Sequence, residues 1–121
     1  MAVKVVDASA VGVILFGEPE SAAVAGRLAG TRLVAPWLLP FEVASICCKK
    51  LRLHPEQRER LLAAFDLYPN LGIELIEVKQ REIVRLAEKT GLTNYDASYL
   101  WLAEALNAEL VTLDRRLAAA R

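Results

Sequence analysis

The chain has 121 residues, and its fifteen Lys and Arg side chains balance fifteen Asp and Glu, so the formal net charge is zero. This length allows one domain with its own core, while balanced charge and few Gly and Pro residues exclude a disordered or low-complexity chain. Hydrophobic residues, counted with Tyr and without Gly, make up 55% of the chain. Counted with Gly and without Tyr, the share is about 57%, above the roughly 45–50% of an average globular domain. A small domain cannot bury all of them, so we expect a surface for self-association or for a partner.

The cysteine and histidine content and the N-terminal segment argue against disulfide-linked, zinc-binding, secreted and membrane proteins. Cys47 and Cys48 are adjacent and His54 is the one histidine, which excludes a disulfide framework and a zinc site of the usual spacing. The apolar opening contains charged residues, unlike a signal peptide. Its charge-free stretch, residues 8–17, is far shorter than the about 20 residues of a membrane helix. We expect a cytoplasmic protein without membrane contact.

Strand-like and helix-like patterns alternate along the chain. Short β-branched runs predict strands, and longer segments with an apolar face that end near Gly predict helices. Such alternation indicates an α/β fold in which helices cover both faces of a mainly parallel sheet. We expect one domain over residues 1–121, without repeat or linker. The predicted strands are residues 3–6, 32–34, 73–78 and 109–113, and the predicted helices are residues 8–16, 19–30, 37–51, 55–68, 80–89, 94–107 and 115–120.

Two acids follow predicted strands directly. Asp7 comes after the first strand and Asp114 after the last. Open parallel sheets carry their chemistry just beyond the carboxyl ends of their strands, which makes both acids candidate site residues. Aspartate is also a favoured residue at a helix N-terminus, and a helix follows each of them. The sequence leaves both interpretations open.

Asp96 lies in the first turn of a predicted helix that is apolar on nearly every side. Thr93 is placed to cap this helix, with an acid three residues later as in a capping box. Capping alone explains the residue types, but it does not require that a charge be placed on a buried helix. Asp96 is therefore a third candidate.

Glu42 is the least expected of the acids. In the predicted helix around it, the stretch from residue 38 to residue 48 has Ser45 as its only other polar side chain. A carboxylate in such surroundings costs several kcal/mol unless it is paired or binds a metal. A buried arginine is the structural alternative, although no arginine is obviously placed to pair with it.

The four acids suggest a common site. Carboxylates that converge in a low-dielectric pocket repel one another, so either their pKa values rise or a hard divalent cation neutralises them. Without His or Cys ligands, Mg²⁺ or Mn²⁺ is the natural ion. Such ions activate water for in-line attack on a phosphodiester. Convergence of the four side chains is the hypothesis that the structure must test.

Four motifs then resemble a known family. Val-Val-Asp-Ala-Ser-Ala at residues 5–10, Pro and Glu at positions 36 and 42, Leu-Thr-Asn-Tyr-Asp-Ala at residues 92–97 and Leu-Val-Thr-Leu-Asp at residues 110–114 resemble the PIN-domain nucleases. They are most similar to the VapC-type toxins of toxin–antitoxin pairs. The resemblance spans the chain and implies a three-layer α/β/α sandwich and a Mg²⁺- or Mn²⁺-dependent endoribonuclease.

The resemblance also implies roles for individual residues. Asp7 and Asp96 would be direct metal ligands, Glu42 would ligate the metal or position the water, and Asp114 would complete the site. Ser9 and Thr93 match polar positions that support the carboxylates. In the family, water cuts structured RNA to leave a 5′-phosphate, a cognate antitoxin blocks the site, and homodimers are the rule. Both protein contacts fit the excess of apolar residues.

Other side chains have two interpretations each. Basic residues could hold RNA phosphates, but the solvated end of a helix explains them as well. Aromatic residues could stack on bases, but core or dimer packing is the commoner use. A PIN-fold protein that serves mainly as a binding partner or regulator is the alternative function, although the presence of all four acids argues against lost activity. The basic residues are Lys49, Lys50, Arg52, His54, Arg115 and Arg116, and the aromatic residues are Trp37, Tyr95, Tyr99 and Trp101.

Overall fold

The computed structural model describes residues 1–120 and contains four strands and seven α-helices in that range. None of these helices combines the length and the apolar character needed to cross a membrane. The strands are β1 (Val3–Val6), β2 (Arg32–Pro36), β3 (Glu74–Ile76) and β4 (Glu109–Val111). The helices are α1 (Ala8–Leu15), α2 (Ser21–Leu28), α3 (Leu39–Leu53), α4 (Arg58–Phe65), α5 (Gln80–Thr90), α6 (Asn94–Leu106) and α7 (Arg115–Ala119), with 3₁₀ turns at Pro55–Gln57 and Tyr68–Leu71.

The strands form one parallel sheet in the order β3-β2-β1-β4. Val5 of β1 lies beside Val34 on one neighbour and beside Leu110 on the other. Because the chain adds β2 and β3 on one side of β1 and then places β4 on the other side, the strand order reverses between β1 and β4. Ligand sites in open parallel sheets lie beyond the carboxyl ends of the strands at such a reversal.

Helices flank the sheet, as the predicted three-layer α/β/α sandwich requires. Helix α6 contacts β1, β2 and β4 and packs against α5, while α1 packs against α2 and α3. The apolar pattern of α6 predicts burial, and its residues from Ala97 to Leu100, together with Leu102 and Ala103, are buried. The mainly parallel α/β fold is thus confirmed.

A close contact fixes α1 against α3. A Cβ atom added at Gly12 would lie 3.2 Å from Cδ1 of Ile46, tighter than ordinary packing distance. The absence of a side chain at this position lets α3 approach α1, the helix that directly follows β1. The start of α3, where Glu42 lies, is thereby held near the carboxyl end of the sheet.

Some predicted boundaries were wrong for local reasons. The predicted helix at residues 55–68 is divided into a 3₁₀ turn, α4 and a second 3₁₀ turn, and Leu67 is exposed rather than on the apolar face. Strand β4 ends at Val111, two residues before the predicted end, and the Thr112 hydroxyl that follows it bonds to Asp7 and to the Asp114 backbone N–H. The predicted domain extends to Arg121, which lies outside the described residues, and its extent stays a prediction.

Candidate active site

The four acids singled out from the sequence lie around one pocket. The pocket has a volume of about 270 Å³ and opens at the carboxyl end of the sheet, between the starts of α1, α3, α6 and α7. The sequence separates these acids by up to 107 positions, and the parallel topology brings them together. The lining residues are Asp7, Ala8, Ser9, Glu42, Ser45, Ile46, Asp96, Tyr99 and Asp114.

Asp7 is the buried acid of the pocket, with 5% of its surface exposed. Its Oδ1 accepts hydrogen bonds from the Ser9 hydroxyl at 2.7 Å and from the Ala10 backbone N–H at 3.0 Å. The Thr112 hydroxyl donates to Oδ2. Asp7 therefore does cap α1, as the alternative interpretation proposed, but capping uses one oxygen while hydroxyl donors fix the orientation of the whole carboxylate.

Thr112 is a residue of this site that the sequence motif at residues 110–114 contains but to which the sequence assigned no role. Besides donating to Asp7, its hydroxyl oxygen accepts the backbone N–H of Asp114 at 3.0 Å. The parallel register explains its place, because Val6 lies beside Val111 and the next residue on each strand is Asp7 and Thr112. That register was the missing information, since two segments so distant in sequence carry no local sign of their pairing.

Glu42 has a tyrosine as its partner and not an arginine. The buried Tyr99 side chain donates its O–H to Oε1 of Glu42 at 2.6 Å. A hydroxyl donor stabilises the carboxylate without neutralising its charge. The buried arginine that was the structural alternative is absent from the ion pairs within residues 1–120, so the Glu42 charge remains available to the pocket.

Asp96 lies at the edge of the pocket, half-buried in the first turn of α6. Its backbone N–H donates to the Thr93 hydroxyl at 3.1 Å, so Thr93 is the predicted N-cap. Thr93 thus supports the helix that carries Asp96 and bonds to its backbone rather than to its carboxylate. Ser9 does contact a carboxylate directly, as described above.

Asp114 is exposed and caps α7. Its Oδ1 accepts the backbone N–H groups of Arg116 at 2.9 Å and of Leu117 at 3.0 Å. Its Oδ2 takes part in none of the hydrogen bonds found within residues 1–120. The Arg116 guanidinium donates to the Gly91 carbonyl at 2.8 Å. Asp114 lines the pocket with one carboxylate oxygen that has no hydrogen-bond partner within the described residues.

Three of the pocket acids, Asp7, Glu42 and Asp96, are harder to ionise than ordinary carboxyls. Burial is the largest cause that raises the pKa of Asp7, of Glu42 and of Asp96. The neighbouring acids raise these pKa values further, and Arg116 partly offsets this effect at Asp96. Mutual repulsion of this kind shows that the carboxylates share one electrostatic environment.

The donor set fits a hard divalent cation. All four acids offer carboxylate oxygens, none of them forms an ion pair within residues 1–120, and oxygen ligands are those that Mg²⁺ and Mn²⁺ prefer. In the same residues, no three His, Cys, Asp or Glu side chains stand close enough together to enclose an ion. Repulsion among the carboxylates favours that separation, so a bound cation would have to draw them inward.

The basic and aromatic candidates divide between the surface and the interior. Lys50 pairs with Glu18 and lies over the Phe16 ring, and none of the basic residues lines the acidic pocket. Tyr99 is buried as core packing predicts, and Trp101 is half-buried. The exposed members are Lys49, Arg52, His54, Arg115, Arg116, Trp37 and Tyr95.

Known proteins share this fold and sequence pattern. The pattern of the PIN domain matches residues 4–121. VapC ribonuclease Mb0985 of Mycobacterium bovis is 37% identical, over 93% of this chain and 87% of its own length. Ribonuclease VapC1 of Mycobacterium tuberculosis is 38% identical, over 96% and 89%.

Two proteins of Pyrobaculum aerophilum extend the similarity. Ribonuclease VapC3 of Pyrobaculum aerophilum is 31% identical, over 94% of this chain and 91% of its own length. The crystal structure of PAE2754 from the same organism matches with a TM-score of 0.70 and 28% identity, covering 99% of this chain and 87% of that one. The resemblance predicted from the four motifs is thus confirmed, and the chain belongs to the PIN-domain family, with VapC ribonucleases among its relatives.

Proposed function

We propose that the protein is a divalent-metal-dependent endoribonuclease that acts as the toxin of a toxin–antitoxin pair. One observation carries the proposal: four acids from four separate helix starts line one pocket, and none is neutralised by an ion pair within residues 1–120. Selection for folding stability alone would favour acids that are ion-paired or exposed, and not a cluster of unpaired acids around a pocket. The ribonuclease names of the relatives support RNA as the substrate.

The reaction is hydrolysis of a phosphodiester bond. Oxygen of a water molecule adds to phosphorus, the bond to the 3′ oxygen of the preceding ribose breaks, and the protons of the water end on the leaving oxygen and on the buffer or a base. The products are a 3′-hydroxyl and a 5′-phosphate. Mg²⁺ or Mn²⁺, when bound, supplies neutralisation of the carboxylate and phosphate charges and lowers the pKa of water.

We assign the residues the roles that the family resemblance implies. Asp7 and Asp96 would hold the cation, and Asp114 would complete the site. Glu42 would ligate the cation or position the attacking water, with its Oε1 held by the Tyr99 hydroxyl. Ser9 supports the ligand Asp7, and Thr93 supports the helix that positions Asp96.

Partners follow from the family and from the surface. We propose a cognate antitoxin that covers the acidic pocket, a homodimer, and a cytoplasmic location where RNA substrates occur. Large apolar side chains remain exposed on the single chain and supply area for such contacts. They include Leu53, Leu67, Val84 and Leu106.

RNA cleavage by the purified protein tests the proposal. Cleavage should require Mn²⁺ or Mg²⁺, stop with EDTA and be lost in Asp7→Asn. Glu109→Gln is the matched control, because it also replaces one acid by its amide but lies at the start of β4, at the opposite end of the sheet. Equal cleavage by wild type and Asp7→Asn would contradict the proposal. Saturable RNA or protein binding without any cleavage would instead favour a binding or regulatory role.

A further inference from the structure

An apolar groove adjoins the acidic pocket. It has a volume of about 380 Å³ and shares Glu42 and Ser45 with the pocket. Its other walls are Leu38, Phe41 and Tyr95. We call these five residues the aromatic groove. It lies between the starts of α3 and α6, so anything bound at the acids extends naturally into it.

Two aromatic rings of this groove are exposed without a structural reason. Phe41 is 80% exposed and Tyr95 is 57% exposed, although most large apolar side chains of this chain are buried or half-buried. Each stands one position before a pocket acid, Phe41 before Glu42 and Tyr95 before Asp96. The helix starts that present the carboxylates therefore also present the rings.

We propose that the aromatic groove binds one unstacked base of single-stranded RNA, next to the phosphate that is cleaved. This inference rests on the proposed nuclease function and names a part of its substrate. Sequence-specific RNA recognition commonly uses splayed bases that stack on aromatic side chains. The base would lie against the rings of Phe41 and Tyr95.

The negative charge around the aromatic groove favours entry of a nucleobase over entry of a phosphate group. Glu42 borders the groove and Asp96 follows Tyr95, so a phosphate inside the groove would be repelled, whereas a nucleobase is uncharged and planar. Ser45 offers a hydroxyl group to the edge of a base. RNA fits this layout because its charged and uncharged parts alternate along the strand, as do the acidic pocket and the aromatic groove.

Other aromatic residues are less suited to this role. Tyr99 is buried with its hydroxyl on Glu42, and Trp101 donates its indole N–H to Glu82 at 3.0 Å, away from the pocket. Trp37 is 60% exposed but does not line the groove. It serves as the matched control, since it is an exposed aromatic residue four positions before Phe41.

Binding of an adenosine decamer tests the proposal directly. The labelled RNA is titrated in EDTA into wild type, Phe41→Ala, Tyr95→Ala and Trp37→Ala, with melting temperature as the control for folding. Loss of one stacking ring should raise Kd by on the order of 5- to 150-fold, while Trp37→Ala should change it less than about twofold. Phe41→Trp keeps a ring and should retain binding.

Cleavage kinetics provide a second readout. In the presence of Mn²⁺, Phe41→Ala should raise KM for a cleaved RNA and leave kcat nearly unchanged, because the ring binds substrate and transition state alike. A substrate with an abasic nucleotide beside the cleaved bond should bind poorly to wild type, and Phe41→Ala should add no further loss.

The outcomes separate this proposal from the nuclease function. Ring-dependent RNA binding without cleavage would contradict the nuclease and keep the base site. Cleavage with unchanged Kd and KM in both ring variants would overturn the base site and leave the aromatic groove to a protein partner such as the antitoxin. Absent binding of the decamer to wild type, or an equal loss in Trp37→Ala, would overturn it too.

Discussion

Acidic residues at the two ends of the sheet differ in whether they form ion pairs. At the amino end, Glu109 pairs with Lys4 at 3.4 Å and with Arg27 at 3.1 Å, and Glu74 pairs with Arg32. At the carboxyl end, the four pocket acids form no ion pair within the described part of the chain. Acidic residues are thus ion-paired at one end of the sheet and left without an ion-pair partner, within the described residues, at the other.

The pKa values follow the same division. The hydrogen bond from Arg27 is the largest cause that lowers the pKa of Glu109, whereas burial raises the pKa of Asp7 and Glu42. Paired acids stabilise the folded chain, while clustered acids cost stability unless a ligand neutralises them. The comparison indicates that the carboxyl end is built for binding.

The largest expected effect on RNA cleavage comes from Asp96, and Glu104 on the same helix α6 serves as its control. Asp96→Asn should lower RNA cleavage by more than about 100-fold, since groups that merely support a metal ligand already contribute 10- to 100-fold. Glu104→Gln, at the other end of α6 and exposed, should leave cleavage unchanged. Initial rates at saturating Mn²⁺ measure both, and equal losses in the two variants would mean that α6 is sensitive to any change of charge.

A smaller loss is expected from the hydroxyl that supports Asp7. Thr112→Val keeps the shape of the side chain but removes its hydrogen bond to Asp7, so cleavage should fall by about 10- to 100-fold. Removing a donor to the charged form raises the pKa of Asp7 further, which moves the acid limb of the pH–rate profile upward. Thr112→Ser should restore both the rate and the profile. An unshifted profile in Thr112→Val would exclude this role.

Stability without metal should improve when one pocket charge is removed. Glu42→Gln still accepts the Tyr99 hydroxyl but no longer repels its neighbours, so the melting temperature in EDTA should rise by a few degrees at pH 7. A raised folded pKa costs stability only above the ordinary pKa, which is 4.5 for this group. The gain should therefore disappear near pH 4. A clear loss of stability at pH 7 would show that Glu42 is structural.

The smallest effect is expected at the amino end, with the opposite sign. Glu109→Gln removes an acid that is paired but partly exposed, so the free energy of unfolding should fall by at most about 1 kcal/mol at pH 7. Because the folded pKa of Glu109 is lowered, its contribution is present above the ordinary pKa and is lost as pH falls through the folded value. High salt should reduce the difference. Chemical denaturation at two pH values measures it.

Local patterns predicted most elements and all four acids that line the pocket. Strand β1 was predicted at residues 3–6 and lies at Val3–Val6, because its β-branched residues precede a capping aspartate. Asp7, Asp96 and Asp114 were singled out by position relative to strands and helices, and Glu42 by the cost of a charge among apolar neighbours. Such signals are local and need no knowledge of strand order.

Contacts between distant segments could not be predicted. The Thr112 hydroxyl reaches Asp7 only because β4 pairs with β1, and Tyr99 reaches Glu42 only because α6 and α3 both start beside the pocket. The groove formed by Phe41 and Tyr95 has the same origin. A single sequence shows the residues that form these contacts, but it does not show which distant segments pack beside each other.

Binding of Mn²⁺ tests the shared cation site most directly. In an electron paramagnetic resonance titration, wild type should remove free Mn²⁺ from solution with a saturable isotherm, Asp7→Asn and Asp96→Asn should each abolish that uptake, and Glu109→Gln should retain it. Uptake that is identical in all four proteins, or absent from wild type, would contradict the claim that these carboxylates together hold one hard cation.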